Sequence, residues 1–345
     1  MKTLKDISVT DKRILVRCDF DVPLDEKGNI LDDFRIKQAL PTIKYLIDAR
    51  AKVILMGHMG RPDGKIVPEL RLDKVAEKLA EYLNISIEKE DDCIGPDAEV
   101  ESKKLESGKV LLLENLRFHK EETDNDPEFA KKLSFLGDIY VNNAFANSHR
   151  DHASMSGVPK ILPAYAGFLL EAEIESLDKI LTNPQKPMMA IIGGKKVETK
   201  SKFIDEISEK ADFIIIGGLI AKEVTEENIK FHHPEKIIIP TGKLDDADIN
   251  DESIRVFQEK IMQAKTIFWN GPFGKFEDKK YVKGTMAIAK AIIDSGAFSV
   301  VGGGETVEFL DKQGIIDRFS HISTGGGAMF SYLSGENLPG LTALE

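Results

Sequence analysis

The sequence predicts an α/β protein of two doubly wound domains, each a parallel sheet covered on both sides by helices. Three observations lead there. The chain has 345 residues, about twice the usual single-domain length, so two domains of roughly 170 residues each are expected. Short apolar runs recur, each followed by a helix-like stretch, as βα units require. Glycine-rich stretches follow several of the runs, at what would be the carboxyl ends of strands, the edge at which doubly wound sheets bind ligands.

Taken in order, the strand candidates of the first half are Ile14–Arg17, Val53–Met56, Val110–Leu113 and Ile139–Asn142. Those of the second half are Met188–Ile192, Phe213–Ile216, Lys236–Ile239, Thr266–Trp269, Phe298–Val301 and His321–Ser323. Helical spacing separates many of them: Leu72, Val75, Ala76, Leu79 and Leu83 recur at three and four residues and share one face. The amphipathic stretch Leu169–Leu181 reads as a connecting helix. On this pattern the first domain is 1–168, the helix 169–182, the second domain 183–330 and a C-terminal segment 331–345. No Pro/Ser-rich linker, low-complexity segment or repeat interrupts the chain.

Composition excludes several function classes. A 42% hydrophobic content argues against disorder, and two cysteines, Cys18 and Cys93, against a disulfide scaffold. Cysteine usage, the lack of an apolar signal core at the N-terminus and the lack of a run near the roughly 18 apolar residues of a membrane span predict a soluble, cytoplasmic protein. With 47 Lys plus Arg against 58 Asp plus Glu the net charge is -11, and both halves are acidic. Nucleic acid and anionic lipid are therefore not expected partners, and an anionic ligand needs a local basic pocket.

The first half supplies cations at or near strand ends: Arg35, His58, Arg61, Arg117, His149, Arg150 and His152. Arginine forks match phosphate and carboxylate, and recurrence after successive strands points to an anion pocket. Asp19 and Asp21 follow the first strand at the same edge and can orient arginines or accept from a substrate hydroxyl. His149 and His152 have the spacing of a metal pair, but Arg150 lies beside them and would repel a cation, and no matching Cys or carboxylate pattern accompanies them. The acidic run Glu121–Glu128 reads as a solvated loop leading into a helix, and His232-His233 as an exposed turn.

The second half carries phosphate-binding signals. Gly302-Gly303-Gly304-Glu305-Thr306 and Gly325-Gly326-Gly327 lie between a strand and a helix, where amides and the helix N-terminus attract phosphate; the plainer reading is that these glycines only permit tight packing. Gly193-Gly194 precedes Lys195, Lys196 and Lys200, and Lys196 and Lys200 are four apart, neighbours on one helical face. The P-loop, dinucleotide, protein-kinase and nucleophile-elbow signatures are absent.

Together these blocks resemble one family, phosphoglycerate kinase. The resemblance runs in order from Arg17-Cys18-Asp19-Phe20-Asp21-Val22-Pro23 to Leu338-Pro339-Gly340, through Gly57-His58-Met59-Gly60-Arg61-Pro62, Leu113-Glu114-Asn115-Leu116-Arg117-Phe118, Asn143–Ser154, Trp269-Asn270-Gly271-Pro272-Phe273-Gly274-Lys275-Phe276-Glu277 and the two late glycine clusters. It implies a hinge-bending kinase of two Rossmann-like domains joined by a helix, with residues 331–345 returning to the first domain. The reaction implied is reversible phosphoryl transfer between 1,3-bisphosphoglycerate with ADP and 3-phosphoglycerate with ATP, by a monomer using Mg2+. By motif, Asp19, Asp21, Arg35, His58, Arg61, Arg117 and Arg150 would bind phosphoglycerate on the first domain. Lys196, Lys200, Asn270, Glu277, Gly303, Gly304, Glu305 and Thr306 would bind the adenine nucleotide on the second, with Glu305 toward the metal. Arg35, Lys200 and the Gly326 amide would face the moving phosphoryl group.

The chain departs from the family pattern at Asp21, where the family has asparagine, and at Glu305, where it has aspartate. Asp21 sets a carboxylate against an anionic substrate, and Glu305 shifts a magnesium ligand by one methylene. Asn143, Ala146 and Lys195 are smaller departures. The chain is also short for the family, with losses expected after Gly217-Gly218 and between Pro240 and Asp248, beside the nucleotide. These departures raise two alternatives: a catalytically weakened homologue that binds ligands or partners, and a kinase of the same fold with another phosphoryl donor.

Overall fold

The computed structural model describes every residue except Lys195, Lys196, Lys243, Asp245 and Asp246, and the side chains of Glu198 and Thr199. Twelve strands run through the described residues: β1 (Arg13–Cys18), β2 (Lys52–Met56), β3 (Glu88–Lys89), β4 (Val110–Leu112), β5 (Ile139–Asn143), β6 (Ala164–Ala166), β7 (Met188–Ile192), β8 (Phe213–Ile216), β9 (Ile237–Ile238), β10 (Thr266–Asn270), β11 (Phe298–Gly302) and β12 (His321–Ile322). They form two six-stranded sheets, ordered β3-β4-β2-β1-β5-β6 and β12-β11-β10-β7-β8-β9, and every pairing is parallel. The α/β, doubly wound class expected from the sequence is the class observed.

Both sheets are buried on two faces, which is why their strands read as continuous apolar runs instead of alternating ones. In the first, Ile14, Val16, Val53, Leu55, Leu112 and Val141 pack against Ile36, Ile43, Leu46, Val75 and Leu79 from the helices Phe34–Asp48 and Asp73–Leu83. In the second, Met189, Ile191, Ile267, Trp269 and Val301 meet Phe257, Ile261, Ile288 and Phe309. Two strands escaped the sequence reading. β3 is two partly exposed polar residues at a sheet edge, and β6 is three residues at the opposite edge. β3 has no apolar residue and β6 only Ala164-Tyr165-Ala166, too short a run to stand out, because an edge strand buries less than a central one.

Contacts divide the chain into two compact units, residues 1–173 with 337–345 and residues 174–336, so the division falls inside the helix Phe168–Leu181. The C-terminal segment is held within the first unit by backbone contacts. Gly340 N–H donates to the Ser148 carbonyl at 2.9 Å, and Asn142 Nδ2 donates to the Gly340 carbonyl at 3.0 Å. A Cβ at Gly340 would lie 2.9 Å from Ser148 Cα, so the close approach requires glycine.

The start of the helix Phe168–Leu181 is set by Thr42. Its buried hydroxyl donates to Asn143 Oδ1 at 2.8 Å and accepts from Phe168 N–H at 2.9 Å, while Leu169 N–H donates to the same Asn143 oxygen at 3.2 Å. Thr42→Val removes the hydroxyl and leaves a helix N-terminal amide without its acceptor, which should cost about 1–3 kcal/mol. A urea titration should show the midpoint falling accordingly; an unchanged midpoint would contradict this role.

Candidate active site

Parallel strands deliver all their outgoing loops to one sheet edge. In the first sheet the strand order reverses between β1 and β5, and in the second between β7 and β10, so each sheet opens a crevice there.

Every sequence-predicted residue of the first half except Arg35 leaves a strand at this edge: Asp19 and Asp21 after β1, His58 and Arg61 after β2, Arg117 after β4, and His149, Arg150 and His152 after β5. Arg35 comes from the first turn of the helix Phe34–Asp48. Its Nη1 lies 3.1 Å from buried Asp19 Oδ2 and donates to the Asp21 carbonyl at 2.9 Å. Arg117 is placed by Asn115, whose side-chain oxygen accepts the Arg117 amide at 3.1 Å and whose Nδ2 donates to the Met59 and Leu70 carbonyls. Arg117 Nη1 then reaches the Gly60 carbonyl at 2.7 Å, and its buried Nε has no hydrogen-bond partner among the described residues. A cavity of about 490 Å³ gathers Arg61, Arg117, Arg150 and His152 with Lys120 and Thr123. His149 does not line it.

Asp21 sits among these cations. Its Oδ1 accepts Gly60 N–H at 2.8 Å, and its Oδ2 lies 3.7 Å from His58 Nε2 and 4.0 Å from Arg35 Nη1. Burial, then the charge of Asp19, pushes its carboxyl above the usual range, with Gly60 N–H, Arg35 and Arg150 opposing. Burial, then Arg17 and Arg150, holds His58 well below its ordinary value, and the same causes bring His152 down to about 4. The pocket's positive charge therefore comes from the arginines and Lys120, with His58 and His152 neutral near pH 7.

Two participants were not found from sequence. Arg17, read only as the end of a strand, is fully buried at this edge. Glu122, read as part of a solvated loop, is also fully buried: Ser154 N–H donates to its Oε2 at 2.9 Å and Ser154 Oγ to its Oε1 at 2.6 Å. The acidic run is thus corrected at this position. Its neighbours Glu121 and Asp124 are exposed, and nothing in a row of acids distinguishes the one that turns inward.

In the second unit the loops after β7 and β10 touch. Gly193 N–H donates to the Asn270 carbonyl at 2.8 Å, and Gly271, at φ 94°, would place a Cβ 2.1 Å from the Gly193 carbonyl oxygen, so only glycine fits. Asn270 and Thr306 brace these loops from within. Asn270 Nδ2 donates to the Gly302 carbonyl at 2.9 Å, and Thr306 Oγ1 accepts Gly271 N–H at 2.9 Å. Both are buried, and neither lines the adjacent cleft, which is walled by Gly194, Gly218, Lys275, Phe276, Glu277 and Glu305. Lys200, in the helix Val197–Ser208, is nearly buried and donates to the Gly193 carbonyl. Gly303 caps the helix Gly304–Lys312, and Gly326 opens the helix Gly326–Leu333; a Cβ on Gly304 or Gly326 would meet nothing within 4 Å, so the space on that side of each residue is open. Lys195 and Lys196 lie outside the described residues.

Among the described residues, the one His/Cys/Asp/Glu group compact enough to share a metal is Asp92, Cys93 and His119, with ligand atoms within 4.8 Å. It does not include His149, His152 or Glu305, and His119 Nε2 already lies 2.6 Å from Asp92 Oδ1.

An arginine-lined crevice on one doubly wound unit and a glycine-walled one with a buried lysine on the other define a two-domain α/β kinase. A family model described as phosphoglycerate kinase matches residues 4–229 and 223–336. The chain is 43% identical over 387 residues to the phosphoglycerate kinase of Moorella thermoacetica, covering 99% of this chain and 98% of the relative. It is 41% identical over 393 residues to that of Chlorobium phaeobacteroides, covering 100% and 99%. The crystal structure of phosphoglycerate kinase from Pyrococcus horikoshii OT3 superposes with a TM-score of 0.90 at 33% identity, covering 100% of this chain and 98% of that one. The chain belongs to the phosphoglycerate kinase family. It is accordingly an enzyme, a phosphotransferase acting on a carboxyl acceptor. The alignments run longer than the 345 residues present here, so the relatives carry segments this chain lacks.

The neutral histidines tie stability to pH. His58, His149 and His152 titrate lower in the folded chain than the ordinary value near 6.5, so the unfolded chain takes up more protons as pH falls. Their contribution is complete above the unfolded value and is lost below it, down toward about 4 for His152. His119, raised by its hydrogen bond to Asp92, opposes them, and the Asp21 and Glu122 carboxyls, raised by burial, oppose them at lower pH, toward their unfolded values near 4. Unfolding free energies from urea titrations should therefore drop between pH 7.5 and 5.5, by at most about 1.4 kcal/mol per pH unit for each net histidine. A flat profile would contradict the neutral assignment.

Proposed function

We propose that this chain catalyses reversible phosphoryl transfer between 1,3-bisphosphoglycerate with ADP and 3-phosphoglycerate with ATP, as a cytoplasmic monomer. The observation that carries the proposal is the occurrence, in one chain of this family, of the arginine pocket of the first unit and the glycine-walled crevice with Lys200 in the second. Neither the weakened-homologue reading nor the alternative-donor reading finds support in the relatives, which bear the same name over their full length.

In this reading Arg35, Arg61, Arg117 and Arg150 bind the phosphate and carboxylate of phosphoglycerate through charge-assisted hydrogen bonds. Asp19 holds Arg35 in place, its Oδ2 lying 3.1 Å from Nη1. In the ATP-consuming direction the nucleophile is a carboxylate already ionised at neutral pH, so no general base is needed. Catalysis then depends on positioning and on neutralising charge on the transferring group, which falls to Arg35, Lys200 and the Gly326 amide. Lys196, Gly303 and Gly304 are assigned to the nucleotide phosphates and Glu277 to the ribose, while Asn270 and Thr306 act by bracing the loops that carry them. The two substrates must be adjacent and shielded from water, since water would hydrolyse the acyl phosphate.

Glu305 is an exposed carboxylate on the cleft wall in the first turn of the helix Gly304–Lys312. A single carboxylate beside the amides of a helix start suits magnesium, which keeps several waters and relies on substrate phosphates for its other ligands. When bound, the ion would neutralise charge on the nucleotide phosphates.

No described helix is long and apolar enough to cross a membrane.

A coupled assay with purified protein, magnesium, ATP and 3-phosphoglycerate should show turnover; folded protein without turnover sinks the proposal. Arg35→Ala and Lys200→Ala should each lower kcat by about 10²-fold or more with the circular dichroism spectrum retained. Asp21→Asn keeps an acceptor for Gly60 N–H while removing a like charge, so KM for 3-phosphoglycerate should fall. Because the Asp21 carboxyl titrates above its usual range, the difference between the two proteins should narrow as pH is lowered. A higher KM in the variant would show that the carboxylate assists binding.

A further inference from the structure

Arg17 is a charged residue inside a sheet. It lies in β1, opposite Met56 of β2 and Asn142 of β5, with no exposed surface. The nearby carboxylate Asp19 pairs with Arg35. Arg17 instead donates from Nε to Ser154 Oγ at 2.9 Å, and Ser154 Oγ donates to Glu122 Oε1 at 2.6 Å. A second donor of Arg17 is held by the Cys18 carbonyl, and the third nitrogen, Nη2, lies 3.1 Å from His58 Nδ1.

That last contact fixes a proton. Arginine has donors only, so the ring nitrogen facing it must accept, and a neutral imidazole that accepts at Nδ1 carries its hydrogen at Nε2. His58 Nε2 is buried, without a hydrogen-bond partner among the described residues, and lies 3.7 Å from Asp21 Oδ2. A buried donor without a partner costs free energy, and it suits a site that an anionic ligand completes.

We propose that Glu122 is a positioning residue which, through Ser154 and Arg17, holds His58 as the neutral Nε2–H tautomer, ready to donate to an oxygen of bound phosphoglycerate. The proposal rests on the reading of this pocket as the phosphoglycerate site. Ser154 Oγ gives its one proton to Glu122 Oε1 and accepts from Arg17 Nε, so the carboxylate fixes the hydroxyl and, through it, the guanidinium. The Ser154 lone pair is thereby left facing Arg17 Nε, and the guanidinium is aimed at His58. Glu122→Gln removes the negative charge that holds the Ser154 hydroxyl and attracts the guanidinium, so Arg17 Nη2 is aimed less firmly at His58 Nδ1. The charged and titratable groups around the pair are Arg17, Arg35, Arg150, His152 and Asp21 on His58, and Arg17, His152, the Cys93 thiol and the Tyr140 phenol on Glu122.

The test is a long-range ¹H–¹⁵N spectrum of the full chain labelled at histidine, with His58 assigned by its loss in His58→Gln. The wild-type protein should show Nε2 protonated and Nδ1 bare, unchanged from pH 8 to 5.5. Addition of 3-phosphoglycerate should move the Nε2 signal. In Glu122→Gln the Nδ1 resonance should shift toward that of a nitrogen without a donor, and KM for 3-phosphoglycerate should rise severalfold while KM for ATP stays put. A merely structural Glu122 would lower stability and leave the His58 Nδ1 resonance alone. If the variant does not fold, the wild-type spectrum and Ser154→Ala decide. His58 protonated at Nδ1, or cationic at pH 7, overturns the proposal, as does an unchanged Nδ1 resonance in folded Glu122→Gln. If the tautomer behaves as described but phosphoglycerate leaves it unmoved, the positioning role stands and the assignment of the pocket falls.

Discussion

The constraint on which this structure depends is that all six strands of each sheet run parallel. A parallel strand cannot hand the chain to its neighbour by a tight turn; it must exit at its carboxyl end and return through a crossover. Every exit loop of a sheet therefore collects at one edge, and where the strand order reverses, two adjacent loops diverge and leave a crevice. Asp19, His58, Arg117 and Arg150 are separated by tens of residues in sequence, yet each follows a strand of the same sheet. The same rule puts Gly193 and Asn270 in hydrogen-bonding contact.

Gathering so many cations on an acidic chain raises an electrostatic problem, which the first unit solves by burial and by anions placed behind the pocket. Like charges at one edge repel, and histidines are the groups that can yield. Burial and the arginine field hold His58 and His152 neutral, so they contribute hydrogen-bond geometry without adding charge. The arginines cannot yield, and two of them are matched by carboxylates: Asp19 faces Arg35, and Glu122 faces Arg17 through Ser154. Burial pushes the Glu122 carboxyl above its usual range, while Arg17 and the Ser154 donors pull the other way. The guanidinium groups nearest the cavity keep open donors, as at Arg117 Nε.

Much of this was legible in the sequence, for a reason tied to the same topology. Central strands such as β1 and β10 are buried on both faces and appear as unbroken apolar runs, so their ends, and the residues just beyond, can be read directly. The edge strands β3 and β9 are two residues long and give a weak signal or none. At the site, residues that face outward from a strand end were found, whereas those reached through packing were not. Glu122 looks like its acidic neighbours until Ser154, 32 positions away, is folded against it. Asn270 and Thr306 were read as contacts to a nucleotide; the structure shows their side chains also bracing the loop framework, a second role that sequence alone does not reveal.

The shortened chain bears on the two halves of the reaction unequally. The family match breaks between residues 223 and 229, in and just after the helix Gly218–Glu226 that follows β8. Strand β8 borders β7, whose exit loop carries Gly193, Gly194 and, one turn into the next helix, Lys200. The helix Gly218–Glu226 starts at the cleft, which Gly218 and Leu219 line together with Glu277 and Glu305, whereas the Gly193–Asn270 contact at the β7–β10 switch point lies outside the break. Under the proposed assignment the groups that meet phosphate are backbone amides at helix starts and Lys200, whose ammonium donates to the Gly193 carbonyl at the exit of β7. The break in the family match lies beyond that point, on the far side of β8, so on this reading the difference in length falls beside the cleft and not at the β7–β10 crevice.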